Sequence, residues 1–578
     1  MKKGFLKLCA RLFSSAEISG VGTAGTMRLL RGRGAKTLNY IGKIFAYTKT
    51  RSYGLFFLSF GLLSLLLHLG AYYLGSIDSI SPLSAIISAA LAVIALPLLA
   101  SVKPVCILIQ DIDVIDTVLF DFLGMKRMPK NATHTSIPPI VAMLLGIVPA
   151  ALSYFLSVEW VFLGIVVLIV GSIALTTPEF SLMLSIVLLP YLRVMTDRPD
   201  VILCVMSLLT FVSYAIKVVI GKRVFNFDAY SILAILCSLL VLVAGLFGGG
   251  ENSPAGSLII ISLIAIYFPI SNIIVNKRLV DSVANAIIIS AIPIAVISVI
   301  EFIVENPKTS FATPLYSTEG VSAFFSEPSA LAGFLLVSLL LTLYYIFERS
   351  SLLKKSVYGV FSLIEALALG VILHPAVWVT ALFSVLAYAV IRSRRIPIDS
   401  ILLLIGAAYL LFLVPNDAID ALFESLGVSP LFSERMPYYE DAFKTLAGDG
   451  WLGVGNGEVR SFNLLLGVAV RFGIPMLVLV LFAIILRLRH LSFYRHYVRN
   501  SLVSAAGDMT AVSTVSLILL GTFEDVFLDV SIFYLFIVIF ALSSAILRTA
   551  KTENDDLLGY YGDQRSSDSS ALDVNVNR

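Results

Sequence analysis

What this sequence lacks first is charge. Asp, Glu, Lys and Arg make up 14% of its 578 residues, against about 25% in a typical soluble domain. Cysteine is sparse as well, and the four present are Cys9, Cys106, Cys204 and Cys237. They stand far apart without metal-ligand spacing, so no metal site is expected. Two fall in apolar runs and none in a segment read below as extracellular. That excludes a disulfide framework and leaves them as core filler. No repeat of fixed period appears, which excludes a solenoid. The basic stretches carry no aromatic platforms and no known motif, so no nucleic-acid partner is expected.

What the sequence has instead is long apolar runs. Hydrophobic residues make up 58% of the chain. A bilayer core about 30 Å thick is crossed by roughly 20 apolar helical residues. About sixteen such spans can be read by window and flank. They lie near 53–74, 82–102, 137–157, 159–176, 179–195, 199–217, 228–248, 257–275, 284–303, 328–347, 355–373, 375–391, 398–415, 463–486, 508–526 and 528–547. The pattern implies an all-α, polytopic integral membrane protein. The span at 179–195 contains Pro190, and that at 508–526 contains Glu524 and Asp525. His374-Pro375 is a tight turn between two spans.

Lys and Arg set the orientation. With the first residue inside and alternating spans, all but seven of the 41 Lys and Arg fall on the inner side. The exceptions are Arg193, Arg198, Lys308, Arg435, Lys444, Arg460 and Arg471. This places the chain in a bacterial-type cytoplasmic membrane with both termini cytoplasmic. Four regions follow. Residues 1–51 form a basic cytoplasmic segment, with Phe5, Leu6, Cys9, Leu12 and Phe13 on one face of a short surface helix. Residues 52–198 form a first membrane region. Within it, 103–124 carries Asp111, Asp113, Asp116 and Asp121 and reads as an interfacial helix, since each central Asp in a span costs about 2.5–3.5 kcal/mol. Residues 199–550 form a second membrane region with two long exterior loops, 304–327 and 416–462. Residues 551–578 are a polar tail, expected to be disordered and cytoplasmic.

Long loops are often functional, so the candidate chemistry lies there. Glu327, just before Pro328, marks a helix start. It reads either as a cap or as a carboxylate at a substrate cleft. Residues 433–444 read as a short surface helix, with Tyr438, Asp441 and Ala442 near one face. Gly450-Trp451-Leu452-Gly453-Val454-Gly455 is a turn whose amides can also nest an anion. Arg471 lies near the outer end of the 463–486 span, where an ionisable group is functional by default or snorkels to the interface. Glu365 lies mid-span, so it should face a protein interior or stay neutral. His374 and His68 have structural readings as well.

The order of features from about 200 to 490 resembles the O-antigen ligase/polymerase family, especially its Gram-positive homologues in surface polysaccharide synthesis. The matching elements begin with Ser213-Tyr214-Ala215-Ile216-Lys217 leading to Gly221-Lys222-Arg223. The stretch Phe325 to Leu331 stands where the family shows Asn-Pro-Asn. Trp378, Arg435, Trp451-Leu452-Gly453-Val454-Gly455 and Phe472-Gly473-Ile474-Pro475 follow in order. The resemblance covers about half the chain; before residue 200 it rests on Pro178-Glu179-Phe180.

The resemblance implies a metal-independent glycosyltransferase of GT-C-like architecture, without cofactor. Such proteins transfer a glycan from a polyprenyl diphosphate to an acceptor on the outer face. The leaving diphosphate needs arginines, and the acceptor hydroxyl needs a base. The sequence departs from the family where its arginine is replaced around Gly320, where a Ser-Arg-Gly turn reads His374-Pro375-Ala376, and where a histidine reads Phe462. The residues left for catalysis are Glu327, His374 and Arg435. Those left for substrate binding are Arg460, Arg471, Tyr438, Trp451, Gly453 and Gly455. Arg435, Arg460 and Arg471 are expected to converge near Glu327. The expected partners are polyprenyl-diphosphate-linked glycan, membrane lipid and polysaccharide-assembly proteins. Two other functions fit. One is a degenerate homologue that binds lipid-linked glycan or acts as a scaffold without chemistry. The other is a transporter or flippase, although no inverted repeat is evident.

Overall fold

The computed structural model describes residues 16–18, 48–74, 81–112, 116, 137–220, 223–247, 253–275, 277–305, 321–348, 352–372, 374–392, 421, 435–448, 450–455, 461–495 and 501–549. The expected surface helix at the N-terminus, the span 398–415 and the tail lie outside them. The helices are α1 (Thr50–Tyr73), α2 (Pro82–Ala100), α3 (Val105–Asp111), α4 (Pro139–Phe155), α5 (Val158–Thr176), α6 (Pro178–Met195), α7 (Pro199–Val219), α8 (Ala229–Phe247), α9 (Pro254–Ile273), α10 (Lys277–Glu305), α11 (Pro328–Glu348), α12 (Leu352–Val371), α13 (Pro375–Arg392), α14 (Met436–Ala447), α15 (Leu464–Phe472), α16 (Ile474–Arg495), α17 (Ser501–Phe523) and α18 (Val530–Thr549).

Among the described residues, twelve helices are long and apolar enough to cross a membrane, and α4 and α13 are shorter apolar helices. The chain is an all-α, multi-pass membrane protein. Among the described residues, the extended structure is one antiparallel pair of three-residue strands, β1 (Ala16–Ile18) and β2 (Phe225–Phe227), and an isolated bridge between Lys49 and Pro104. Helix α12 is as long as a span but carries Lys354, Lys355 and Glu365. Within the stretch expected as an interfacial helix, Val105–Asp111 is helical, and Lys103 pairs with Asp111.

The expected span 463–486 is corrected. It is two helices, α15 and α16, broken at Gly473, whose φ is +88°. An L side chain rarely adopts that angle, and Pro475 then restarts the next helix. The expected span ends at residue 486 and leaves Arg487 in the inner loop that follows, which is also corrected: Arg487 lies inside α16 and is fully buried. Its guanidinium stacks 3.4 Å from the ring centre of Tyr230 and 4.6 Å from that of Phe540, and it donates to Ser544. Cation–π contact of this kind holds a desolvated guanidinium where water cannot.

The chain divides into two compact units. One comprises residues 19–181 and 212–223. In it α1 packs on α2 and α4. Lipid offers no hydrophobic drive between helices, so close contact and interhelical hydrogen bonds must hold them. Ser64 and Ser88 lie 3.1 Å apart, and Ser153 donates to Ser64 at 3.3 Å. A Cβ on Gly61 would stand 2.6 Å from the Ser88 carbonyl oxygen, so only glycine allows this approach. Arg223 pairs with Glu179, and Ser213 Oγ donates to the Leu175 carbonyl at 2.9 Å, which accounts structurally for several motif residues.

The other unit comprises residues 1–18, 182–211 and 224–578. Helix α17 is its axis: its apolar stretch Ser504–Phe523 is wholly buried. Helices α11, α13, α15 and α16 pack on it. Four of its hydroxyls, those of Thr510, Thr514, Ser516 and Thr522, turn back on their own helix, as Thr514 does to the Thr510 carbonyl at 2.8 Å. Such bonds satisfy most of the polar atoms that a buried helix carries, while Ser513 Oγ is buried with no partner among the described residues.

Candidate functional site

The site forms where α17 ends. After Phe523 the chain bends, and Glu524 and Asp525 follow side by side, both buried. Glu524 Oε1 receives two neighbours. Arg435, the residue before α14, donates to it at 2.5 Å, and His374 Nε2, in the turn before α13, lies 3.1 Å away. Arg435 also donates to the Phe523 carbonyl at 2.5 Å. That carbonyl belongs to the last turn of α17, where helix ends leave acceptors unpaired and favour a cation. Among the described residues, no side chain engages Glu524 Oε2.

Asp525 orders the next wall. It accepts from the Ser461 backbone N–H at 3.0 Å and from Ser461 Oγ at 3.2 Å. Asn463 then caps α15, accepting from Leu465 N at 3.1 Å and Leu466 N at 3.2 Å, while its amide donates to the Thr522 carbonyl. Two residues upstream of that cap's helix, Phe462 takes φ +46° and presents its ring to Arg435 at 5.4 Å and to Tyr438 at 5.0 Å.

Burial sets the protonation of this cluster. It pushes the Glu524 carboxyl up to about 7; Arg435 pulls the other way, and Asp525 adds to the rise. Burial and the neighbouring Arg435 charge bring His374 down to about 4, so its imidazole is neutral. Burial raises Tyr439 to about 12, keeping its phenol protonated.

A cavity of about 540 Å³ opens on these residues. Arg471, Glu524, Asp525, Asn463, Arg198 and Asp200 supply its polar lining. The rest is mostly apolar, drawn from α8, α9, α15, α16 and the segment around Phe527 to Phe536. A space with apolar walls and a few convergent charges is the usual form of a small-molecule or lipid site.

No family model matches the chain, and no curated protein does. The site therefore rests on its geometry.

Several expectations need correction against that geometry. Arg435 and Arg471 do approach one site, but the carboxylates there are Glu524 and Asp525; Glu327 starts α11, its carbonyl accepting from Ala330 N at 3.1 Å and Leu331 N at 3.3 Å. Neighbouring Ser326 is held by Asp529 at 2.7 Å. Arg471 lies in the last turn of the short helix α15, not within a long span. Arg460 lies outside the described residues. On α14 the buried face is Tyr439 and Ala442, whereas Tyr438 and Asp441 are exposed. The side chain of Trp451 is also exposed. Trp378 ties α13 to α12 by donating to the Leu369 carbonyl at 3.2 Å.

The glycine turn does not nest an anion with its central amides. Val454 N donates to the Val470 carbonyl at 2.9 Å and Gly455 N to the Arg471 carbonyl at 3.0 Å. The turn instead seals the C-terminal end of α15. Gly453 has φ +92°, and a Cβ there would stand 2.4 Å from the Arg471 carbonyl oxygen. Gly453→Ala is therefore expected to destabilise the protein by about 1–3 kcal/mol and to disturb Arg471. Gly448→Ala is the control, because its Cβ would meet nothing nearer than 3.6 Å. Equal melting temperatures for the two variants in detergent would show that the turn does not hold α15.

Glu524 and Asp525 were the residues missed. Two adjacent acids in an apolar run signalled something other than a plain span. The sequence offers no means of pairing Glu524 with Arg435, which lies 89 residues away.

Proposed function

We propose that this protein is a glycan ligase or polymerase of the O-antigen ligase type. It would act on oligosaccharide carried by a polyprenyl diphosphate, at the outer face of a bacterial cytoplasmic membrane. On this reading the bundle has about sixteen spans in a GT-C-like arrangement, with both termini cytoplasmic. The charge distribution among the loops supports that orientation.

One observation carries the functional reading. Glu524 lines a largely apolar cavity with one oxygen clamped by Arg435 and His374, while no described side chain engages the other. A general base needs a pKa near the working pH and a free oxygen aimed at the substrate. Glu524, at about 7, has the first and is placed for the second. The apolar walls suit isoprenoid units. Arg471, with Arg198 on the same cavity, suits the diphosphate. In the reaction, the acceptor hydroxyl would give its proton to Glu524 Oε2 while its oxygen bonds to the anomeric carbon. The bond from that carbon to the diphosphate oxygen breaks, and polyprenyl diphosphate leaves beside the arginines.

The test is turnover. Full-length protein in lipid nanodiscs is given a synthetic polyprenyl-diphosphate oligosaccharide and an oligosaccharide acceptor. Released polyprenyl diphosphate is the expected product, and Arg471→Ala should slow its release at least tenfold. A specific feature favours a second reading, a binder without chemistry. Phe462 stands where the resembling family has its histidine, and it packs on Arg435. Saturable binding of the lipid-linked glycan with no release would establish that reading instead.

A further inference from the structure

Glu365 lies near the middle of α12, far in sequence from the cavity residues, and is fully buried. The opposite side of α12 exposes Val360, Leu363 and Leu367. One face of this helix thus suits lipid, and the other carries a carboxyl into the bundle. Two hydroxyls meet that carboxyl, both from α11 and one helical turn apart. Ser338 Oγ donates to Oε1, and Thr342 Oγ1 lies 2.9 Å from Oε2. Among the described residues, no Lys, Arg or His pairs with Glu365.

The proton count decides its state. Thr342 Oγ1 also lies 2.8 Å from the Leu339 carbonyl oxygen. A hydroxyl has one proton, and it cannot serve two acceptors fully. If Glu365 is a carboxylate, Leu339 O and Oε2 compete for it. If Oε2 carries a proton, the chain closes. Ser338 donates to Oε1, Oε2–H donates to Thr342 Oγ1, and Thr342 donates to Leu339. Every polar atom is then satisfied and no charge is left in a medium where an unpaired one is costly.

Several charged and titratable groups on the neighbouring helices are committed elsewhere, while the Tyr388 hydroxyl on α13 is buried with no partner among the described residues. On α10, Asp281 takes the Tyr345 hydroxyl. The Tyr358 hydroxyl, from α12 itself, goes to Asn285. On α11 and α13, Glu348 and Arg392 pair with each other, and His374 before α13 faces Glu524.

We propose that Glu365 is a proton-binding site inside the helical bundle, neutral at neutral pH and able to exchange its proton. Exchange needs a water molecule that reaches Oε2 and takes its proton away as hydronium. The Thr342 hydroxyl then swings from the Leu339 carbonyl to the vacated oxygen, while Ser338 stays on Oε1. The same two hydroxyls thus cradle both states. The ligand is a proton, and the site is independent of the glycan reading.

Infrared difference spectroscopy tests it on the full-length protein in lipid nanodiscs at pH 7. Wild type minus Glu365→Gln should show one carbonyl stretch of a protonated carboxylic acid. That band should shift downward in D₂O. Ser338→Ala removes a hydrogen bond to the carbonyl oxygen and should shift the band upward. If Glu365→Gln fails to fold, the Ser338→Ala shift carries the test. A difference spectrum showing only carboxylate bands overturns the neutral acid. A carboxylic acid band that never shifts in D₂O overturns the exchange.

Discussion

Glu524→Gln is expected to lower glycan transfer by about 10²–10⁴-fold, the usual worth of a positioned general base. The substitution keeps size and hydrogen-bonding capacity, so the cavity should persist. The pH profile supplies the sharper measurement. Burial raises the Glu524 carboxyl to about 7, so below that pH the base is mostly protonated and inactive. Wild-type turnover should therefore climb through pH 7 and level off above it. The glutamine variant should lose that limb along with its rate. Stability is the poorer readout, because two linkages oppose each other. A raised carboxyl keeps its proton in the fold while the unfolded chain has lost it, so Glu524 costs stability as pH rises from about 4.5 to 7. A lowered imidazole does the reverse, so His374 costs stability as pH falls from about 6.5 to 4. Turnover that stays flat between pH 5 and 8 in wild type would remove Glu524 from the base role.

Helices were legible in the sequence, and the breaks between them less so. Leu464 to Phe472 and Ile474 onward are both apolar, so any window averages them into one span. The signal for the break was Gly473 followed by Pro475, a helix stop and a helix start in succession. It was visible as a motif before it was recognisable as a break. The break matters because it ends α15 one residue after Arg471, placing that guanidinium on the cavity and not along a lipid-facing helix. Glu524 and Asp525 illustrate the opposite case. Their cost in a membrane was legible, but the groups that offset it come from the α13 and α14 ends for Glu524 and from Ser461 before α15 for Asp525, and no local pattern encodes that meeting. The charge of Arg487 reads as the end of a span, yet the rings of Tyr230 and Phe540 accommodate it inside the bundle.

Arg435→Ala should destabilise the folded protein by about 3–5 kcal/mol, the penalty for stranding one member of a buried ion pair. Both partners are well shielded, with side-chain exposures of 13% for Arg435 and 7% for Glu524. Alanine also removes the donor to the Phe523 carbonyl and the cation facing Phe462. A double-mutant cycle separates these losses. Adding Glu524→Gln to Arg435→Ala neutralises the stranded carboxylate, so the pair should be less unstable than the sum of the two single variants. The carbonyl and ring contacts stay lost in both arginine variants and cancel from the coupling term. Melting temperatures in detergent at pH 8, where Glu524 is mostly ionised in the wild type, give the largest contrast. At pH 5 the carboxyl is protonated without help, and the penalty of Arg435→Ala should shrink. A penalty equal at both pH values, with strictly additive single variants, would mean that Arg435 holds α14 by its backbone and ring contacts, and that Glu524 does not need its charge.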